Sequence, residues 1–180
     1  PILESHAQHL QIVLGVLANN QFYCKRSKCS FDQTSVKYLG HIISEDGVSM
    51  DRTKVECIQS WPTPSTVKEL RGFLRLTGYY KRFIKGYMAI CKPLTQLLKK
   101  EGFVWSHNAQ IDFEDLKRAM ITAPVLRVPN FEFPFMIETD ACRIGIRAVL
   151  MQQGHSIAFL SKALSPPQKK KWECLSMRRN

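Results

Sequence analysis

The chain has 180 residues, 44% hydrophobic and 23% charged, an ordinary soluble composition with length for one or two small domains. Its most apolar early run, residues 10–17, is interrupted by Gln11 and Gly15 and is too short for a bilayer; with no basic-then-apolar leader and six singly scattered cysteines, the expectation is an intracellular protein of the cytoplasm or nucleus. The formal charge of +11 points towards an anionic partner, and neither a membrane nor a small-molecule substrate is expected.

Residues 1–22 read as a helix with Leu10, Val13, Leu14 and Leu17 along one side, stopped at Asn19 and Asn20. His6 and His9, three apart, could share a metal, but no full ligand set accompanies them and ordinary surface or packing histidines are the expectation; Cys24 and Cys29 lack the second pair a zinc site needs.

From Tyr23 to Met50 the pattern changes to short strands at 29–31, 36–43 and 48–50, with a turn at Glu45, Asp46 and Gly47. Gly40 permits close approach of backbone to a ligand, and Tyr38 and His41 can stack or hydrogen-bond; a hairpin with no ligand is the alternative.

Asp51 opens a helical piece through Val55, Ile58 and Trp61 that Pro62 stops. A second helix begins at a capping box, Thr66 to Glu69, and Val67, Leu70, Phe73, Leu74, Thr77, Tyr80 and Ile84 form its apolar side. At about 100° per residue, Lys68, Arg71, Arg75 and Arg82 fall in one sector opposite. Residues 66–100 hold nine basic side chains against Glu69, and 162–180 hold six against Glu173. Concentrated positive charge is what phosphate-backbone binding requires; a solvated lysine-rich face is the alternative.

Residues 93–98 and 106–120 are two more amphipathic helices, the second with Ala109, Phe113, Leu116 and Met120 in register, and 124–129 is an extended link. Apolar residues then alternate through Phe133, Phe135 and Ile137 and through Ile146, Ala148 and Leu150, predicting a β-hairpin whose first strand Asp140 closes. A carboxylate on a half-buried strand is costly unless paired, and a hard divalent cation suits its oxygens; a turn-capping Asp is the other reading.

Three strings carry a resemblance. Glu-Thr-Asp-Ala at 138–141, with Gly-Ile-Arg-Ala-Val-Leu-Met-Gln at 145–152 and Ser-Lys-Ala-Leu-Ser-Pro at 161–166, resembles the start of the ribonuclease H domain in gypsy-class LTR retrotransposon Pol polyproteins. The run Glu69 to Ile84 is similar to the reverse transcriptase thumb of the same elements, and Tyr38 to His41 to the primer grip at the end of the palm. The resemblance covers residues 1 to about 166 and implies an α+β chain: end of palm (1–50), thumb helices (51–90), connection (91–130) and the N-terminal part of a ribonuclease H-like domain (131–180), with the hairpin and third strand of that domain present. It further implies phosphate contacts from Lys68, Arg71, Arg75 and Arg82 to a template-primer duplex or RNA:DNA hybrid, a primer contact at Tyr38, Gly40 and His41, and Asp140 as the first ribonuclease H carboxylate, a ligand of Mg²⁺.

Departures from the family pattern define the activity expected. Both chemistries need clustered carboxylates around paired Mg²⁺ ions, yet the sequence contains no Asp-Asp pair, and the family's next ribonuclease H acid, a Glu on the following helix, has no clear counterpart. Arg75 and Arg147 stand where Gly is expected and Cys142 where Ser is; a guanidinium at 147 can compete with a metal for Asp140. If residues 176–180 are encoded TCT-ATG-AGA-AGG-AAC, one of the codon sets the sequence permits, the shifted frame reads Tyr-Glu-Lys-Glu, and the expectation is a frameshift near Trp172. The reading is therefore a truncated, non-catalytic relative of a polymerase and ribonuclease H with an open sheet edge at each end. The alternatives are an active piece of a larger polyprotein, cut here by gene-model boundaries, and a host-adopted nucleic-acid-binding module; missing polyprotein segments in trans are a further candidate partner.

Overall fold

The computed structural model describes residues 3–99, 103–142, 145–165 and 168. The chain divides into two units, residues 1–36 and 37–180.

In the first unit, α1 (Leu3–Asn19) ends where expected: Gln21 takes a positive φ of 60° and the Phe22 N–H turns back to the Leu17 carbonyl at 2.9 Å. The strand expected at 29–31 is absent. A 3₁₀ turn (Arg26–Lys28) ends just before that stretch, where the Cys29 N–H closes on the Arg26 carbonyl at 3.1 Å instead of joining a ladder.

The second unit begins inside β1 (Ser35–Tyr38), which with β2 (His41–Ser44) and β3 (Gly47–Met50) makes a sheet of order β1-β2-β3. The apolar run 36–43 is folded in two at Leu39 and Gly40, with φ of 47° and 76°, the pair of left-handed residues a two-residue hairpin turn demands. The outer edge of β3 is covered at one residue, Val48. Val48 and Leu126 exchange backbone hydrogen bonds of 2.7 and 2.8 Å, and a side chain at Gly47 would collide with the Leu126 carbonyl.

Four helices follow: α2 (Arg52–Gln59), α3 (Val67–Tyr79), α4 (Tyr87–Leu97) and α5 (His107–Ile121). Asp51, Thr66 and Ser106 accept from the backbone N–H of Thr53, Glu69 and Ala109, an N-cap at each start. The box at α3 closes one residue early, since the Glu69 carboxylate takes the Ser65 N–H at 2.7 Å and hydroxyl at 3.0 Å. α4 starts six residues before the expected Pro93, which lies inside the helix; Tyr87, Cys91, Leu94 and Leu97 are its buried face. Ile58, Leu70, Phe73, Phe83, Leu94, Phe113, Leu116 and Met120 are fully buried together, and the Phe73 and Phe113 rings meet at 4.5 Å. Each such side chain contributes about 1.5–3 kcal/mol, so the core of this unit is helical.

The second sheet, antiparallel in order β4-β5-β6, comprises β4 (Met136–Cys142), β5 (Gly145–Gln152) and β6 (His155–Ala163). β4 runs two residues past Asp140, which is therefore not the strand's last residue. Three contacts fasten this sheet to its surroundings. The Met88 N–H in the first turn of α4 donates to the Ser161 hydroxyl at 3.0 Å, the Arg127 N–H to the Ser156 carbonyl at 2.9 Å, and the buried Gln152 amide holds Asn130 and the Phe133 carbonyl. Mixed helix and sheet is the class expected from the sequence. Among the described residues no helix is long and apolar enough to cross a membrane.

Candidate nucleic-acid interface

Two tyrosines at the end of α3 fix the Leu39–Gly40 turn. The Tyr79 hydroxyl donates to the Leu39 carbonyl at 2.8 Å and the Tyr80 hydroxyl to the Gly40 carbonyl at 2.9 Å, which also accepts the Asp51 N–H at 3.0 Å. Burial, with Tyr79 and Asp51 adding to it, pushes the Tyr80 hydroxyl above its ordinary range and keeps it a donor. A Cβ on Gly40 would lie 2.7 Å from that hydroxyl, so the close approach glycine permits here is to Tyr80.

His41 is 8% exposed, its Nδ1 2.9 Å from the Leu39 carbonyl and its ring 5.5–5.6 Å from those of Tyr79, Tyr80 and Phe83. Its imidazole packs the turn against the helix, so little of the ring is left exposed to stack on a base. Tyr38, at 61% exposure, does reach solvent. With Leu39, His41, Tyr79 and Arg82 it lines a groove of about 360 Å³.

Lys68, Arg71 and Arg75 are exposed on α3, and on ideal helix geometry they share a sector about 80° wide with Tyr79. Sequence reasoning missed Tyr79, although the same spacing that groups the cations includes it. Arg82 leaves that helical sector: α3 ends at Tyr79, and Arg82 rides on a 3₁₀ turn (Lys81–Phe83), its guanidinium 5.4 Å from the Phe83 ring centroid and beside the groove. Among the described residues none of the four cations enters an ion pair. A row of unpaired cations leading to a rigid turn is suited to a phosphate backbone.

Asp140 sits directly opposite Arg147 in the β4–β5 ladder, and the Arg147 Nη2 donates to its Oδ2 at 2.6 Å. The Asp140 side chain is 63% exposed, so burial does not create the demand for a cation that a half-buried strand implied. Glu138, two residues earlier, shares its face of β4, and both line a groove of about 330 Å³ with Lys85, Gly86 and Arg147. Lys85 was not singled out by the sequence; its proximity comes only from the packing of the segment after α3 on β6. Among the described residues no three His, Cys, Asp or Glu side chains gather closely enough to hold a metal ion. Glu173 and the expected frameshift lie outside the described residues.

Comparison with known proteins gives concordant results. Residues 105–177 match the family described as an RNase H-like domain found in reverse transcriptase. An uncharacterized mitochondrial protein of Arabidopsis thaliana is 49% identical over 130 residues, 71% of this chain and 82% of the relative. The Pol polyproteins of transposons 297 and gypsy of Drosophila melanogaster are 39% and 36% identical, each over 91% of this chain. This chain spans only 16% and 17% of their lengths. Among solved structures, the foamy viral protease-reverse transcriptase in complex with an RNA/DNA hybrid superposes over 93% of this chain and 24% of its own, with a TM-score of 0.84 at 23% identity, a likeness of fold.

Proposed function

From the reverse transcriptase and ribonuclease H region of gypsy-class retrotransposon Pol polyproteins, the family to which this chain belongs, we propose that it takes a grip on nucleic-acid duplex without cutting it. The ligand is a template-primer or RNA:DNA hybrid. Lys68, Arg71, Arg75 and Arg82 contact its phosphates, and the edge of the Tyr38–Gly40 turn meets the strand terminus, with His41 acting from beneath as packing.

The observation that carries this reading is the Tyr79 bond to the Leu39 carbonyl, which ties the cationic face of α3 to the turn. Phosphate contacts made from a preorganised surface position a duplex without reading its sequence.

The family generally uses divalent metal ions for its chemistry. The residues around Asp140 do not fit that use: its oxygen is engaged by Arg147, and among the described residues Glu138 is the one further acid lining the groove. No hydrolytic step is assigned to this chain.

Fluorescence anisotropy of a labelled RNA:DNA hybrid with the purified 180-residue protein tests the reading. Binding is expected, weakened at least tenfold in the double variant Arg71→Glu, Arg75→Glu, in line with the loss and reversal of two phosphate contacts at moderate salt, roughly. Equal binding by that variant and the parent rejects it.

A further inference from the structure

We propose that Arg147 is the standing cation of the Asp140 position: its guanidinium fills the side of the carboxylate from which a divalent ion would be held, and the groove receives a backbone phosphate through that guanidinium instead. Only the phosphate half of this inference rests on the duplex-binding reading above. The geometry is specific. Asp140 and Arg147 are paired residues of adjacent strands, so the ladder itself brings the two side chains together, and the 2.6 Å contact is that of a charge-assisted hydrogen bond.

Two consequences follow for a metal. A divalent ion approaching Asp140 meets a fixed positive charge within contact distance of its ligand, and must displace that charge while giving up part of its own hydration shell. With the guanidinium removed, Asp140 and Glu138, the two carboxylates among the described residues of the groove, would be free to share a largely hydrated ion.

The consequences for a phosphate are opposite. A guanidinium has five N–H donors in a planar fork, of which the Asp140 contact engages one, and the carboxylate anchors the fork in place. Lys85 lines the same groove, three residues after Arg82 lines the groove at the Leu39–Gly40 turn, so the short segment between them carries cations to both. A strand lying along that segment meets Arg82 at one end and Arg147 at the other.

The metal half is tested on the full chain with no nucleic acid present, by titrating Mn²⁺ and following paramagnetic broadening of the amide signals of β4 and β5. Arg147→Met keeps the apolar stem and is expected to broaden at about tenfold lower Mn²⁺ than the parent, while Arg147→Lys, which restores the charge, stays near the parent. Parent and Arg147→Met broadening at the same Mn²⁺ concentration, or neither broadening, overturns the inference. For the phosphate half, hybrid affinity of the parent is measured in EDTA and in Mg²⁺. No tightening with Mg²⁺ and a loss on Arg147→Met are expected; tightening with Mg²⁺, or full affinity in Arg147→Met, overturns it. Absence of hybrid binding altogether defeats the functional reading, and the Mn²⁺ titration still decides the role of Arg147.

Discussion

Arg147 and Asp140 face each other across β5 and β4 and share a hydrogen bond of 2.6 Å, yet both side chains are at least half exposed. Solvent screens such a pair, so its contribution to folding is small whatever its effect on ligands. Asp140→Asn is expected to change the free energy of unfolding by less than about 1 kcal/mol, measured by urea denaturation. A larger loss would mean that the pair holds the sheet together.

Gly40 carries two constraints at once, a φ of 76° and a Tyr80 hydroxyl where a Cβ would go. Gly154 has nearly the same φ, 77°, with nothing within 4 Å of a built Cβ. Gly154→Ala is therefore expected to show the backbone cost alone, about 1 kcal/mol, and Gly40→Ala roughly 2 kcal/mol or more. Urea unfolding of both variants separates the two effects, and equal losses would show that the tyrosine is not packed against the turn.

The helices were largely legible in the sequence. Ala109, Phe113, Leu116 and Met120 are buried as their spacing dictates, and the Thr66 and Ser106 caps are local signals that any helix start needs. α4 was misplaced because Pro93 mimics a first-turn proline, whereas its real start is a left-handed Gly86. The juxtaposition of Arg147 with Asp140 was readable too, since a short connection sets the register of a hairpin. The clamp on the Leu39–Gly40 turn was not. It depends on hydroxyls 40 residues further along the chain, and a tyrosine on an amphipathic helix gives no sign of which carbonyl it will reach. The burial of His41 was hidden for the same reason.

The two clamp hydroxyls differ in consequence. Tyr80 is buried and Tyr79 exposed. Tyr80→Phe is expected to lose about 1 kcal/mol of stability, the net value of one hydrogen bond, and Tyr79→Phe measurably less. Thermal or urea unfolding ranks them, and the reverse order would contradict the packing described.

Protonation of carboxylates at low pH and deprotonation of a tyrosine at high pH should loosen the fold from both ends of the scale. The Thr53 N–H holds the Asp51 carboxyl, and the Ser65 N–H the Glu69 carboxyl, below the ordinary carboxylate range. Folded values below unfolded ones give stability that is present above the unfolded pKa, about 4, and lost as pH falls through the folded values. Burial pushes the Tyr87 hydroxyl up to about 12 against the opposing bond to Thr77. That contribution is present below about pH 10 and lost as pH rises towards 12. A pH series of unfolding midpoints checks both limbs, and Asp51→Asn is expected to flatten the acid one.

The salt dependence of hybrid binding tests the central claim most directly. The four phosphate contacts of this face are expected to contribute roughly −3.6 to the slope of log affinity against log salt concentration, with Arg147 adding to it, and replacing Lys68, Arg71 and Arg75 by Glu is expected to reduce its magnitude by about 2.7 or more. A parent slope near zero, or a slope unchanged in the triple variant, would contradict the assignment of this face to a nucleic-acid duplex.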